Sequence, residues 1–181
     1  NDILGFDLKG LENYPEIMEV FMYYITSLCW YKAQKDRDRI KQFVFDEVWS
    51  MFLTEQGSQL LMEMYRTLRK YGAGIFSISQ DISDFANSEY APAILQNISF
   101  YYIMKQSEGT NYQKLKETLN LSDRAVEMIR SLQSKKGIFS ESYVKTEDME
   151  YIARLDVSPY EYWLATTDSN DISLFNKKLE E

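Results

Sequence analysis

Ile40-Lys41-Gln42-Phe43-Val44-Phe45-Asp46-Glu47 is the stretch that decides the fold. It ends in a continuous apolar triplet, the pattern of a strand covered on both faces in a parallel sheet, and it delivers two carboxylates to the strand's carboxyl end. Residues 54–70 then read as a helix, with Leu60, Leu61, Met64, Tyr65 and Leu68 at helical spacing and Gly72 available as its left-handed cap. A second strand at 74–79 finishes on Gln80.

Working outward, residues 3–8 (ILGFDL) form a short β-type run, and Pro15 stands near the start of a long helix reaching about Gln34. Ile17, Val20, Phe21, Tyr24, Ile25 and Leu28 extend around much of that helix, as expected for one packed on a sheet and on a neighbour as well. After a polar, helix-like stretch, a fourth apolar run at 98–104 ends on Lys105 and Gln106. Four strands alternating with helices imply right-handed crossovers and a mostly parallel sheet, with functional groups beyond the carboxyl ends of the strands. Asp46, Glu47, Gln80 and Gln106 hold such places. Farther on, Ser122 caps a helix to about Leu132, and residues 136–144 and 151–157 read as short antiparallel strands. Ser158-Pro159-Tyr160-Glu161 fits a capping box, whose helix is expected to carry Tyr162, Trp163 and Leu164 into the core.

Composition narrows the chemistry. With 181 residues, 45% of them hydrophobic, one compact domain is expected to bury roughly two-thirds of its unfolded surface. The seven Gly and three Pro mark no linker or repeat. The net charge of −8 opposes contact with a phosphate backbone, so direct DNA binding is not expected. The cations of Lys32, Lys35, Arg37, Arg39 and Lys41 are interleaved with Asp36 and Asp38, which cancel part of their field. No histidine is present, which removes imidazole bases and His-ligated zinc. Cys29 stands alone between Leu28 and Trp30, the setting of a small buried hydrophobe in a reducing compartment such as the cytoplasm. The apolar stretch 17–33 is too short and too polar to span a bilayer. The opening residues, Asn1-Asp2-Ile3-Leu4-Gly5, resemble neither a signal peptide nor a natural start, so an excised fragment is expected.

A strand ending in Asp-Glu suits a nucleotide hydrolase: the first acid orients Mg²⁺ and the second polarises the attacking water. It suits equally an acidic helix start, where carboxylates complement the helix dipole. Gln80 at the adjacent strand end adds an amide able to detect a γ-phosphate, or is an ordinary polar terminus. In Arg66-Thr67-Leu68-Arg69-Lys70-Tyr71-Gly72 the cations either complement a helix end or reach a neighbouring subunit's nucleotide as a finger.

Taken in order, Phe43-Val44-Phe45-Asp46-Glu47-Val48-Trp49, Arg69-Lys70-Tyr71-Gly72-Ala73-Gly74 and Ser77-Ile78-Ser79-Gln80-Asp81-Ile82 closely resemble the motif series of the TraC-like conjugal-transfer and type IV secretion ATPases. Ile94-Leu95-Gln96-Asn97, Ile103-Met104-Lys105-Gln106 and the segment from Ser158 to Thr166 are similar to that family too, so the resemblance covers nearly the whole chain. It implies an α/β, RecA-like P-loop NTPase core. It also implies a hexameric ring hydrolysing ATP with Mg²⁺ at the cytoplasmic face of the inner membrane, beside other secretion-system subunits. Asp46 would be the metal-coordinating Walker B acid, Glu47 the water-activating acid and Gln80 the sensor; Arg69 is the candidate finger, with Arg66 and Lys70 close enough to substitute. The chain departs from the family in having no G-x-x-x-x-G-K-[ST] loop. Residues 1–181 are therefore expected to be the carboxy-terminal portion of one motor domain, binding ATP weakly or not at all in isolation. A DNA-pumping translocase and a non-catalytic docking module are the competing readings.

Overall fold

The computed structural model describes residues 3–11, 13–46, 48–52, 54–80 and 89–180. They fall into two compact units, 1–98 and 99–181.

In the first unit, α1 (Pro15–Lys35) opens with proline in its first turn. A loop leads to β1 (Lys41–Phe45), a 3₁₀ turn (Val48–Phe52), α2 (Glu55–Thr67), a second 3₁₀ turn (Leu68–Tyr71) and β2 (Ala73–Ser77). Thr54 caps α2 by accepting the Gly57 N–H at 3.1 Å. The chain then reverses at Gly72, whose φ of 61° is the left-handed conformation that glycine adopts at least cost. The β1–α2–β2 crossover produces a parallel pair in the register Lys41↔Ala73 to Phe45↔Ser77. A short α3 (Ala91–Leu95) adds Ile94 to the core.

The core lies between one face of this pair and its helices. Trp30 and Ala33 of α1 meet Phe45, Val48, Met51 and, from α2, Leu61 and Met64. Side chains alternate along a strand, and on the opposite face of the pair Val44 is 62% exposed and a Cβ built on Gly74 would meet nothing within 4 Å. The expectation that the Phe43-Val44-Phe45 run is covered on both faces therefore fails at Val44. The long helix divides in the same way. Thr26, Trp30 and Ala33 are buried, whereas Ile17, Val20, Phe21, Tyr24, Leu28 and Tyr31 form an exposed apolar stripe. Cys29, half-buried, has its thiol pushed up by desolvation against the opposing effect of Lys32.

The second unit contains β3 (Tyr101–Met104), α4 (Tyr112–Thr118), α5 (Asp123–Ser131), β4 (Ser134–Lys135), β5 (Phe139–Lys145), β6 (Glu150–Asp156), α6 (Pro159–Ala165) and α7 (Ser169–Glu180). β5 is central, with β6 along one edge and β3 and β4 sharing the other, all antiparallel. Ser122 caps α5 through the Ala125 N–H at 3.0 Å. Leu115, Leu119, Val126 and Ile129 are buried, as are Tyr143 and Val144 of β5. The Tyr143 hydroxyl is pushed up to about 12 by burial and by the nearby Glu150 carboxylate.

The α/β class stands, with parallel and antiparallel pairing both present. Three finer expectations are corrected. Residues 3–8 form no strand and lead into a 3₁₀ turn at Lys9–Leu11. The apolar run ending at Met104 pairs antiparallel with β5 and does not extend the parallel pair. The capping box at Ser158 forms as expected, but α6 buries no residue and Leu164 is 70% exposed. Of the helix-like stretch expected between Gln80 and the run at 98–104, residues 81–88 lie outside the described residues and α3 occupies Ala91–Leu95.

Candidate functional site at the carboxyl edge of the parallel pair

Beyond the last paired residues, Phe45 and Ser77, the two chains stay laced together. The Ile78 N–H donates to the Phe45 carbonyl at 2.9 Å, and the Ile78 carbonyl accepts the Val48 N–H at 3.0 Å. Asp46 lies inside this bracket and Gln80 two residues past its pivot. Exposure alternates from Val44 to Asp46 on one chain and through Phe76, Ile78 and Gln80 on the other. Both polar residues are exposed in step with this alternation, at the edge where parallel sheets assemble ligand sites.

Asp46 is exposed and stands two residues before the 3₁₀ turn Val48–Phe52, so the reading as an acidic helix start has a counterpart here. Glu47, the expected water-activating acid, lies outside the described residues. No cluster of three or more Asp, Glu, Cys or His side chains suited to a metal occurs among the described residues. The oxygen donors present fit Mg²⁺, which is commonly held by one or two carboxylates together with water and phosphate oxygens.

The candidate cations are elsewhere. α2 runs back along the pair, and the turn holding Arg69 and Lys70 ends at Gly72, whose carbonyl accepts the Lys41 N–H at 2.9 Å. That is the amino edge, roughly 16 Å from Asp46 at about 3.3 Å per strand residue. Arg66, Arg69 and Lys70 are all exposed. Gln106, also expected at a parallel strand end, lies two residues beyond the antiparallel strand β3 of the second unit, and its amide donates to the Met104 carbonyl at 2.9 Å.

Two anchoring contacts went unread in the sequence. The Tyr65 hydroxyl donates to Ser77 Oγ at 2.8 Å. The Lys41 ammonium donates to the carbonyls of Ala33 (3.2 Å), Tyr71 (2.9 Å) and Asp36. Tyr65 shows the helical spacing of a core residue, which hides its hydroxyl's role. Lys41 opens the decisive strand, a place where a charged group invites a search for nearby helix ends.

The family described as the TraG P-loop domain matches residues 1–181, the entire chain. The chain belongs to the TraG P-loop domain family. Protein TraC of Escherichia coli (strain K12) is 26% identical over 188 residues, covering 97% of this chain and 21% of that protein. The structure of VirB4 from Thermoanaerobacter pseudethanolicus superposes with a TM-score of 0.68 at 23% identity, over 84% of this chain and 40% of that one. This TraG-family chain thus spans well under half the length of either relative. The VirB4 likeness supports the RecA-like P-loop fold, and the resemblance to TraC-like type IV secretion ATPases holds at the level of family. No helix among the described residues of this family member is long and apolar enough to cross a membrane.

Proposed function

We propose that this chain is the carboxy-terminal portion of a RecA-like motor domain. Its full-length protein hydrolyses Mg-ATP to power type IV secretion, conjugative transfer or pilus assembly. The observation that supports the reading is the lacing of β1 to β2 through Ile78, with Asp46 and Gln80 both exposed beyond the same edge of the pair.

In this reading the bound Mg-ATP supplies an electrophilic phosphorus and a metal that offsets developing charge. Asp46 would hold the metal, and Glu47 would take the proton of the attacking water. Gln80 presents an amide to the terminal phosphate. The cations at the amino edge are too far from Asp46 to serve their own chain, so Arg69, or Arg66 or Lys70 in its place, acts on the nucleotide of a neighbouring subunit. A hexameric ring at the cytoplasmic face of the inner membrane, in contact with other secretion-system subunits, supplies that neighbour.

Glu47→Gln in the full-length protein tests the reading. Hydrolysis is expected to fall by roughly 100-fold or more, as for loss of a general base, with nucleotide binding retained. Unchanged hydrolysis would remove Glu47 from the mechanism and favour an acid pair that only begins a helical turn. Strong stimulation of turnover by duplex DNA would instead favour a DNA pump.

A further inference from the structure

We infer that Tyr65 is a positioning residue for Gln80, acting through Ser77; this rests on the proposed sensor role of Gln80. The Tyr65 ring packs against the core cluster beside Leu61, Met64 and Leu68, a task phenylalanine would perform as well. Burying a hydroxyl costs free energy unless it is hydrogen-bonded. Here it donates to Ser77 Oγ at 2.8 Å, at the last paired residue of β2. A helical side chain leans toward the amino end of its own helix. Because α2 runs against the strands, Tyr65 leans toward the carboxyl edge, where the candidate site is.

The restraint falls at a useful point. Ser77 is the last residue held by the β1–β2 ladder, and Ile78 follows with two backbone bonds, to Phe45 and Val48. Three residues after Ser77 comes Gln80. Ser77 lies on the covered face and Gln80 is exposed, so the clamp holds the strand end from its covered side. Fixing the strand end fixes the origin from which Gln80 reaches out. Small displacements of a positioning group can lower turnover by up to about 100-fold.

The test uses the full-length ATPase, with kcat and KM for Mg-ATP measured for the wild type, Tyr65→Phe, Ser77→Ala, Gln80→Ala and Tyr65→Phe/Gln80→Ala. Tyr65→Phe is expected to lower kcat roughly 5- to 10-fold, a modest share of that range, with KM within about twofold of wild type. Ser77→Ala should reproduce it. In the Gln80→Ala background Tyr65→Phe should have no further effect, because residues acting through one another are not additive. A wild-type kcat for Tyr65→Phe beside a slow Gln80→Ala overturns the positioning role alone, as does an equal fold-loss in both backgrounds. A Gln80→Ala enzyme as fast as wild type overturns the sensor reading, and the positioning role with it.

Discussion

The ammonium of Lys41 donates to the carbonyl of Tyr71 at 2.9 Å, joining the first residue of β1 to the turn that precedes β2. The same group also caps the carboxyl end of α1, so one cation ties three chain segments at the amino edge. Methionine at this position keeps most of the stem and removes every donor. Lys41→Met is expected to lower the unfolding free energy by about 2 kcal/mol, the range for lost bonds to a charged group. Urea denaturation followed by circular dichroism measures it; a loss below about 0.5 kcal/mol, the scale of a neutral surface change, would reduce the knot to a surface contact.

Gly57 sets two effects against each other. Alanine is favoured over glycine inside a helix by about 1 kcal/mol, yet a Cβ on Gly57 would sit 2.5 Å from the Met51 carbonyl oxygen, which belongs to the backbone and cannot swing aside. Overpacking costs about 1–3 kcal/mol, so Gly57→Ala is expected to be net destabilising by about 1 kcal/mol. A rise in the thermal midpoint would show that the turn carrying Met51 yields at little cost.

Around α6 and α7 a cluster of charges predicts a pH dependence. Lys136 lies 2.8 Å from Asp168 and 3.1 Å from Asp171, and the Tyr162 hydroxyl donates to Asp171 at 2.5 Å. Asp168 is held below the usual aspartate range chiefly by Lys136; Asp171 is held down first by Tyr162 and then by Lys136. A carboxyl depressed by folding contributes stability above its ordinary pKa and loses it as the pH falls through the depressed value. Lys136, raised well above the usual lysine range, contributes below its ordinary pKa and loses this as the pH rises through the raised one. The cluster should therefore persist across neutral pH and fail at both extremes. In an NMR titration of the carboxyl carbons, Lys136→Met should raise the Asp168 midpoint more than that of Asp171. Tyr162→Phe should raise Asp171 and leave Asp168 in place; equal shifts in both variants would contradict this division.

Local signals were legible in the sequence because they act over a few residues. Pro15 opens α1, Ser122 and Ser158 cap their helices, and Gly72 takes the left-handed turn. Partner choice was not legible. The apolar run ending at Met104 reads alike whether its neighbour runs with it or against it, and only the pairing with β5 settles the direction. Exposure misled for a related reason. The outward stripe on α1 and the Val44 face are apolar in sequence, but no described residue covers them. At the candidate site, the adjacency of Asp46 and Gln80 follows from two successive parallel strand ends. The separation of Arg69 follows from the same topology, since a crossover helix must return to the edge where the next strand begins.

That separation turns on mass action. A guanidinium at the amino edge cannot reach Asp46 of its own chain, so if it aids hydrolysis, it does so for another copy. Turnover per subunit would then depend on how many subunits are assembled: specific activity would collapse on dilution below the dissociation constant of the ring, and mixing Arg69-deficient with Glu47-deficient subunits would restore it in part.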